Sequence, residues 1–524
     1  MVKILGNSRD ETVRLIHDGK VSIAVVGLGY VGLPLATLFA LEGARVFGCE
    51  VDPKTVEMVN AGKSRIVEHD VSWLIDAGAR TLKNTCPNCG VQLFEHRQEV
   101  FCPSCGKLAT LDAYGVRLQP RHSEIYKSLM SKQVSFQSLL EKVVSAGKLT
   151  ATTDTTSAVA ESDAILIAVG TPLGEEHIPD KSAIIAASRA IAQGLEKNDL
   201  IVLKSTVLPG TTEGVVKPIL EEGSGLKCGE DFGLAHMPER IKEGFALYEF
   251  KTIPRIVGGV DERSAEAAAS LFSVFPAPIH IVGSPSISET AKLFENTYRD
   301  TNIALANELA IICERIGVDV MDAIRAANTD PKTHLLTPGL VGGYCLPKDP
   351  YFLVSEALRK GYTPSLIQDA RRVNEGMPDH AVDLVIEVFG RLGVKIGGSK
   401  IALLGLSFKG DSGDLRNSGA IPVAKKLVGL EAEVWAHDPL ASFEELEREL
   451  PDLVFSRDLE KTLSGSRCVV ITADHSEYRS LEPNVLADEM SLPGGVVDCR
   501  QIFNPKHFTD PRLLYRGLGH PFYP

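Results

Sequence analysis

No uncharged apolar run of 18 residues occurs in this 524-residue chain, so the sequence offers no segment that reads as a membrane-spanning helix. The opening stretch, Met1 to Lys20, is studded with charge and has no apolar core of a secretory leader. Positive charge is not in excess either. The chain has 55 Lys and Arg against 68 Asp and Glu, a formal net charge of −13 that is spread out with no charged tail. That balance argues against nucleic acid or an anionic membrane as the main partner. A cytoplasmic globular protein of about three domains is expected. In a reducing compartment its ten cysteines read as thiols, metal ligands or catalysts rather than disulfides.

What is present begins with a β-branched apolar run, 21–26, that reads as a buried strand. It runs into Gly27-Leu28-Gly29-Tyr30-Val31-Gly32, then a helix over 33–42 and a strand over 44–49 ending at Glu50, with Asp52 beyond. Strand, glycine turn, helix, strand and acid together make a dinucleotide-binding fingerprint. The glycines form the turn and let backbone approach a pyrophosphate, the helix N-terminus holds the anion, and the acid binds the adenosine ribose. Gly27, Gly29, Tyr30, Val31, Gly32 and Glu50 are therefore candidate cofactor contacts. A carboxylate at position 50 would repel a 2′-phosphate, which favours NAD over NADP.

The α/β pattern then breaks. Cys86-Pro-Asn-Cys89-Gly is followed by Cys102-Pro-Ser-Cys105-Gly, with a short β-rich spacer over 91–94 and 99–101. Two such knuckles present four thiolates and close a tetrahedral metal site with no position left for water or substrate, so the expected metal is structural. Zinc is the expected occupant; the knuckles also resemble those of rubredoxin, which holds iron, and free cysteines are the bland alternative. So small a unit would depend on its metal to fold.

Alternation resumes with buried strands at 163–169, leading to Thr171, and at 200–203, leading into Lys204-Ser205-Thr206-Val207-Leu208-Pro209-Gly210. A third strand leads into His236-Met237-Pro238-Glu239-Arg240. Polar residues at the carboxyl ends of strands sit where doubly wound sheets bind ligands. Long helices follow, over 288–316, 320–326 and 365–392. Lys292 and Asn296 share a face of the first, with Arg299 one turn on, a pattern equally at home on an exposed helix. Between the helices lies Gly342-Gly343-Tyr344-Cys345-Leu346-Pro347-Lys348-Asp349. A cysteine on a glycine-rich loop beside a cation is either a reactive thiol or a buried structural one. The last third reads as a second doubly wound sheet, with strands over 401–406, 432–436 and 468–472. Its first turn carries Lys409 and Arg416 in place of the glycine fingerprint, which suits a phosphorylated ligand held by side-chain cations.

Taken together, Gly27 to Gly32, Lys204 to Gly210, Pro238-Glu239-Arg240, Lys292 with Asn296, Gly342 to Asp349, and Phe408-Lys409 with Asp414 to Ser418 resemble the nucleotide-sugar 6-dehydrogenases. That family includes UDP-glucose, GDP-mannose and UDP-N-acetyl-hexosamine dehydrogenases. The resemblance implies two successive hydride transfers to NAD from a sugar 6-hydroxyl, with Cys345 holding the carbon as thiohemiacetal and thioester. It places Lys292 and Asn296 beside the developing oxyanion, and Asp349, Glu239 and Thr206 in the handling of water. Thr171, Thr206 and Lys348 join the NAD contacts, and Glu239, Arg240, Lys292, Asn296, Arg299, Gly342, Lys409 and Arg416 the contacts to a UDP-sugar. His236 to Arg240 is similar to the H-C-P-E-R of the UDP-N-acetylmannosamine branch, whereas Cys345 to Asp349 is worded as in the UDP-glucose and GDP-mannose branches. A UDP-2-acetamido-hexose is favoured, with UDP-glucose or UDP-N-acetylglucosamine as alternatives. The implied fold is α/β. An NAD-binding Rossmann domain spans 1–75 and 136–283, and a zinc-ribbon insertion spans 76–135. A central helical domain, 284–396, carries the cysteine loop and a homodimer surface, and a UDP-sugar-binding α/β domain spans 397–524. A regulatory dinucleotide-binding protein, or a nucleic-acid or protein-binding module built on the ribbon, are readings of other classes.

Overall fold

The computed structural model describes residues 4–64, 66, 80–85, 92–96, 99–101, 107–112, 115–122, 135–241 and 246–522. The chain falls into two compact units. One comprises Met1–Leu111, Val116–Glu295 and Tyr351–Glu356, the other Asp112–Gly115, Asn296–Pro350 and Ala357–Pro524. Cys86, Cys89, Cys102 and Cys105 lie outside the described residues.

The first unit is built on an eight-stranded sheet. Its strands, numbered along the chain, are β1 (Ser22–Val26), β2 (Arg45–Cys49), β8 (Leu149–Thr152), β9 (Ala164–Ile167), β10 (Leu200–Leu203), β11 (Gly233–His236), β12 (Arg255–Gly259) and β13 (Ile279–Val282). They lie in the order β13-β12-β11-β10-β9-β1-β2-β8, and all neighbours are parallel except β11 and β12. From β8 to β11 this is the doubly wound order 3-2-1-4-5-6. The strands are continuous apolar runs because both faces are covered. Ile23 and Val25 join one core cluster, Ala24 and Val26 the other, and β9 and β10 divide in the same way.

Between β2 and β8 the chain makes a separate five-stranded sheet: β3 (Arg80–Thr85), β4 (Gln92–His96), β5 (Glu99–Phe101), β6 (Lys107–Asp112) and β7 (Gly115–His122). It is antiparallel from β3 to β6. Phe94 and Phe101 are fully buried, and the Phe94 ring lies 5.6 Å from that of Tyr248 on the helix Ala246–Thr252.

The second unit repeats the doubly wound order. Strands β14 (Lys400–Leu404), β15 (Glu433–His437), β16 (Val454–Ser456), β17 (Cys468–Ile471), β18 (Gly494–Asp498) and β19 (Leu513–Gly517) form a parallel sheet ordered β16-β15-β14-β17-β18-β19. The helices Val320–Ala327 and Ser365–Leu392 belong to this unit, and the 32-residue helix Pro285–Ile316 runs through residues of both. The helix Asp349–Arg359, not among the helices read from the sequence, opens directly after the cysteine loop. Pro350 fits that first turn because its fixed φ is helical and its missing N–H would have had no partner there. Among the described residues no helix is long and apolar enough to cross a membrane.

Candidate active site

The glycine turn after β1 gives each of its glycines a separate reason. Gly27 has φ +96°, and a Cβ there would stand 2.9 Å from the Ala168 carbonyl oxygen, so the turn closes against β9. A Cβ on Gly32 would fall 1.8 Å from the Gly27 oxygen, so only glycine lets the helix Gly32–Leu41 start so close to the strand. Around Gly29 there is open space, which leaves its backbone free for a phosphate to approach. Glu50 accepts the Leu28 amide through one oxygen (3.0 Å) and the Val51 amide through the other (2.8 Å), and stays partly exposed. Tyr30 is exposed and Val31 half-buried beside the turn. The donor set fits an NAD: an open glycine backbone at a helix start with an acid at the end of the second strand. Thr171, at the carboxyl end of β9, donates to the Thr206 carbonyl at 2.7 Å and so ties the loops after β9 and β10 together.

Past β10 and β11 lies a buried charge cluster. Lys204, 1% exposed, meets the Glu239 carboxylate at 3.1 Å, and its ammonium stands 4.8 Å from the Phe272 ring centre. Arg255 lies among Phe250, Phe272 and Phe275. Burial pushes the Lys204 ammonium down and lowers Arg255 to about 10. Burial also works against the charge on Glu239, but Lys204 and Arg255 outweigh it and hold its carboxyl below the usual range. The other Glu239 oxygen accepts the amides of Arg240 and Ile241. Arg240, read in the sequence as a substrate contact, holds Glu295 with two nitrogens, at 3.1 and 2.6 Å. His236 is equally occupied, its ring held by the Ser288 hydroxyl (2.7 Å) and facing the Ser205 carbonyl (3.3 Å). Burial drops its pKa to about 3. Glu289, which sequence reasoning missed, accepts the Thr212 amide and hydroxyl and the Gly210 amide, and burial pushes its carboxyl up. Lys292 is buried one turn further along the same helix, only 7% exposed, where the sequence allowed a solvated face.

In the second unit Asn296 is also buried, and its Nδ2 donates to Asp349 Oδ2 at 2.6 Å. Asp349 Oδ1 lies 2.7 Å from Lys348 Nζ, and both side chains are buried. The Cys345 carbonyl accepts the Lys348 and Asp349 amides (3.1 and 2.8 Å), which turns the chain into the helix that starts at Asp349. Cys345 is exposed. Of the six free cysteines among the described residues, the other five are buried or half-buried with thiols raised by burial, Cys49, Cys228 and Cys468 to about 12. A buried structural cysteine is thus the wrong description of residue 345. Arg299, on the long helix, is exposed.

The cysteine loop packs on the turn after β14. Gly343 donates its amide to the Arg416 carbonyl (3.0 Å), and Asn417 Nδ2 donates to the Gly343 carbonyl (3.1 Å). Cβ atoms on Gly342 or Gly343 would stand 2.7 to 2.9 Å from Asn417 and Phe408. Arg416 pairs with Asp414 at 2.5 Å and lies over Tyr344, while Lys409 lies 5.4 Å from the Phe408 ring centre. Deeper in this turn, Asp438 Oδ2 accepts the amides of Leu406 and Ser407, the Ser407 hydroxyl and His475 Nε2. Burial opposes its charge, but His475 and the amides of Leu440 and Ser407 hold the carboxyl well below the usual range. The Asp411 amide donates to His475 Nδ1, which leaves the ring proton on Nε2. These are residue types of a nucleophilic triad, but hydroxyl and carboxylate meet the same ring nitrogen and all three are buried, so the set is structural. No local spacing could have announced it in the sequence.

Comparison with known proteins accounts for both doubly wound sheets and for the central helices. The NAD binding domain of the UDP-glucose/GDP-mannose dehydrogenase family matches residues 21–87 and 127–276, the central domain 286–376 and the UDP binding domain 402–505. Residues 72–106 also match the family described as Sjogren's syndrome/scleroderma autoantigen 1 (Autoantigen p27). The chain is 33% identical over 498 residues to the UDP-N-acetyl-D-mannosamine dehydrogenase of Pyrococcus horikoshii, covering 95% of this chain and 99% of that one. Over 60% of this chain and 74% of the relative it is 34% identical to a UDP-N-acetyl-D-glucosamine 6-dehydrogenase of Pseudomonas aeruginosa. The solved structure of the Pyrococcus enzyme superposes with a TM-score of 0.74 over 95% of this chain and 99% of that one at 32% identity. A UDP-glucose dehydrogenase from Pyrobaculum islandicum superposes at 0.75 over 95% and 98%, at 29% identity. The chain belongs to the UDP-glucose/GDP-mannose dehydrogenase family, and is an NAD-dependent oxidoreductase of nucleotide sugars.

Proposed function

We infer that the protein oxidises the 6-hydroxyl of a UDP-2-acetamido-hexose, UDP-N-acetylmannosamine in the first place, to the uronate in two steps at Cys345. The observation that carries this reading is the exposed Cys345 beside the buried Asn296–Asp349–Lys348 set. Gly27, Gly29, Tyr30, Val31, Gly32, Glu50, Thr171, Thr206 and Lys348 would hold NAD, which when bound accepts a hydride from C6 at each oxidation. The Cys345 thiolate adds to the aldehyde carbon as a thiohemiacetal, the second oxidation gives a thioester, and water releases the acid and the thiol. Lys292 and Asn296 donate to the oxygen on C6, where negative charge develops. Asp349, in contact with Asn296 and Lys348, orients the donor set, and Glu239 and Thr206 manage the water. Glu239, Arg240, Arg299, Gly342, Lys409 and Arg416 complete the sugar-nucleotide site.

The choice of sugar rests on the sequence from His236 to Arg240 and on the length of the Pyrococcus match. UDP-N-acetylglucosamine is the second reading, because a relative with that named substrate is equally similar over a shorter span. On this reading residues 1–75 and 136–283 serve NAD, 397–524 the UDP-sugar, and 284–396 the cysteine loop and a homodimer contact. The helix Pro285–Ile316 suits that contact. It exposes Ile287, Phe294, Tyr298, Leu305, Ile312 and Ile316 at spacings of seven and four, a stripe that a second helix would cover. Residues 76–135 would form a ribbon with zinc on Cys86, Cys89, Cys102 and Cys105, and the protein would work in the cytoplasm. The test is NADH production with UDP-N-acetylmannosamine, UDP-N-acetylglucosamine, UDP-glucose and GDP-mannose. Two NADH per UDP-N-acetylmannosamine supports the reading, and no turnover with any of the four overturns it. Cys345→Ser should bind both ligands yet lose acid formation by roughly a thousandfold or more.

A further inference from the structure

Three asparagines hold the backbone of the loop that leads to Cys345, each through both sides of its carboxamide. Asn302 accepts the Leu336 amide (2.9 Å) and donates to the His334 carbonyl (2.8 Å). Asn328 accepts the Leu335 amide (2.8 Å) and donates to that residue's own carbonyl (2.9 Å). Asn307 does the same at Gly339, accepting its amide at 2.7 Å and donating to its carbonyl at 3.2 Å. Residues 334–340 belong to no helix or strand, so their peptide groups have no ladder to join. A carboxamide offers a donor and an acceptor side by side as a peptide does, and each of these side chains replaces one rung of a missing strand.

The hold is braced from behind. Asn307 Nδ2 also donates to Asn374 Oδ1 (2.9 Å). Asn374 in turn donates to the Asp300 carbonyl and carboxylate, and Arg371 donates to that carboxylate at 2.7 Å. Asn307, Asn374, Asp300 and Arg371 are all buried, and they join the long helix to the helix Ser365–Leu392. At its other end the loop is held at Gly343 by Arg416 and Asn417. Cys345, which is exposed, follows directly on the backbone that these contacts hold. We propose that Asn302, Asn307 and Asn328 are positioning residues for Cys345: they set the register of residues 334–339 and thereby where the thiol stands. The proposal rests on the reading of Cys345 as the nucleophile.

The test compares wild type with Asn307→Asp, which keeps the shape and replaces the amide donor, and with Asn302→Ala, which removes a less buried hold. Both are scored for kcat and KM for NAD on a UDP-sugar that wild type turns over. Both are also scored for the rate at which iodoacetamide alkylates residue 345, followed by peptide mass spectrometry, with the half-buried Cys228 as internal control. A misplacement of about 1 Å costs about a hundredfold, so kcat should fall roughly 10- to 100-fold. KM for NAD should stay within about twofold, and alkylation of Cys345 should change at least about threefold while that of Cys228 does not. Thermal melts select folded variants, and if Asn307→Asp does not fold, Asn302→Ala decides. An unchanged kcat or an unchanged Cys345 alkylation rate in a folded variant overturns the proposal. Alkylation needs no substrate, so it decides even if wild type oxidises none of the sugars, an outcome that would overturn only the functional reading.

Discussion

The two doubly wound sheets share one strand order and begin their first turns alike, then diverge. Gly27 after β1 and Gly405 after β14 both have positive φ, and each is pressed against the strand across the switch point, Gly27 on Ala168 and Gly405 on Ala473. In both, an acid at the end of the second strand accepts amides of that turn: Glu50 from Leu28, Asp438 from Leu406 and Ser407. Glu50 stays partly exposed, with room to meet a ribose. Asp438 is fully enclosed and also accepts Ser407 Oγ, His475, Leu440 and Ala441, so it has nothing left for a ligand. One topology therefore yields a crevice made of bare backbone and a crevice braced by side chains. Topology fixes where a ligand can sit, and the saturation of one carboxylate separates the two kinds of site.

Removing Asp438 should break the comparison most strongly. Asp438→Ala leaves two turn amides and His475 without their acceptor, at a cost of about 3–5 kcal/mol. UDP affinity should collapse while NAD affinity stays within about twofold, as titration of each ligand alone would measure; equal losses of both would contradict a side-chain brace confined to the second sheet. Gly32→Ala should do the reverse. Its Cβ cannot fit beside the Gly27 oxygen, so NAD binding should fall roughly a hundredfold with UDP binding unchanged.

Acid should separate the regions by a smaller margin. His236 is charged in the unfolded chain below about pH 6.5 but stays neutral when folded down to about 3. Its contribution is therefore complete above pH 6.5 and is lost as pH falls through that window, at up to about 1.4 kcal/mol per pH unit. His437 in the second sheet is depressed in the same direction. Asp438 and Asp474 are held well below the usual carboxylate range, so they add a further loss in the second sheet below about pH 4. Hydrogen exchange against pH should show His236→Gln flattening the upper window in the first unit alone. An effect of equal size in the second unit would refute the assignment.

The parts of the site legible in the sequence are those whose chemistry is local. Gly27 to Gly32 and Glu50 are close enough in the chain for spacing to imply geometry, and the strands of both sheets could be read as apolar runs because both faces are covered. The burial of Lys292 and Asn296 could not be read, since four-residue spacing gives a shared face but not what covers it. His236 and Arg240 share one motif and are engaged with Ser288 and Glu295 on a helix some 50 residues on, partners that the motif itself does not name. Glu289 and the loop-holding asparagines were invisible because a side chain bonded to distant backbone leaves no pattern.

The sequence by itself determined two α/β sheets, a glycine turn for a dinucleotide and a cysteine set between glycines and a Lys-Asp pair, because each follows from residues adjacent in the chain. Only the tertiary structure decided that Cys345 is exposed while the thiols of Cys49, Cys313, Cys468 and Cys499 are buried, that Asn296 and Lys348 meet on Asp349, and that Asp438 is spent internally. Burial and hydrogen-bond partnership are set by segments far apart in sequence, and those two quantities separate a site from a support.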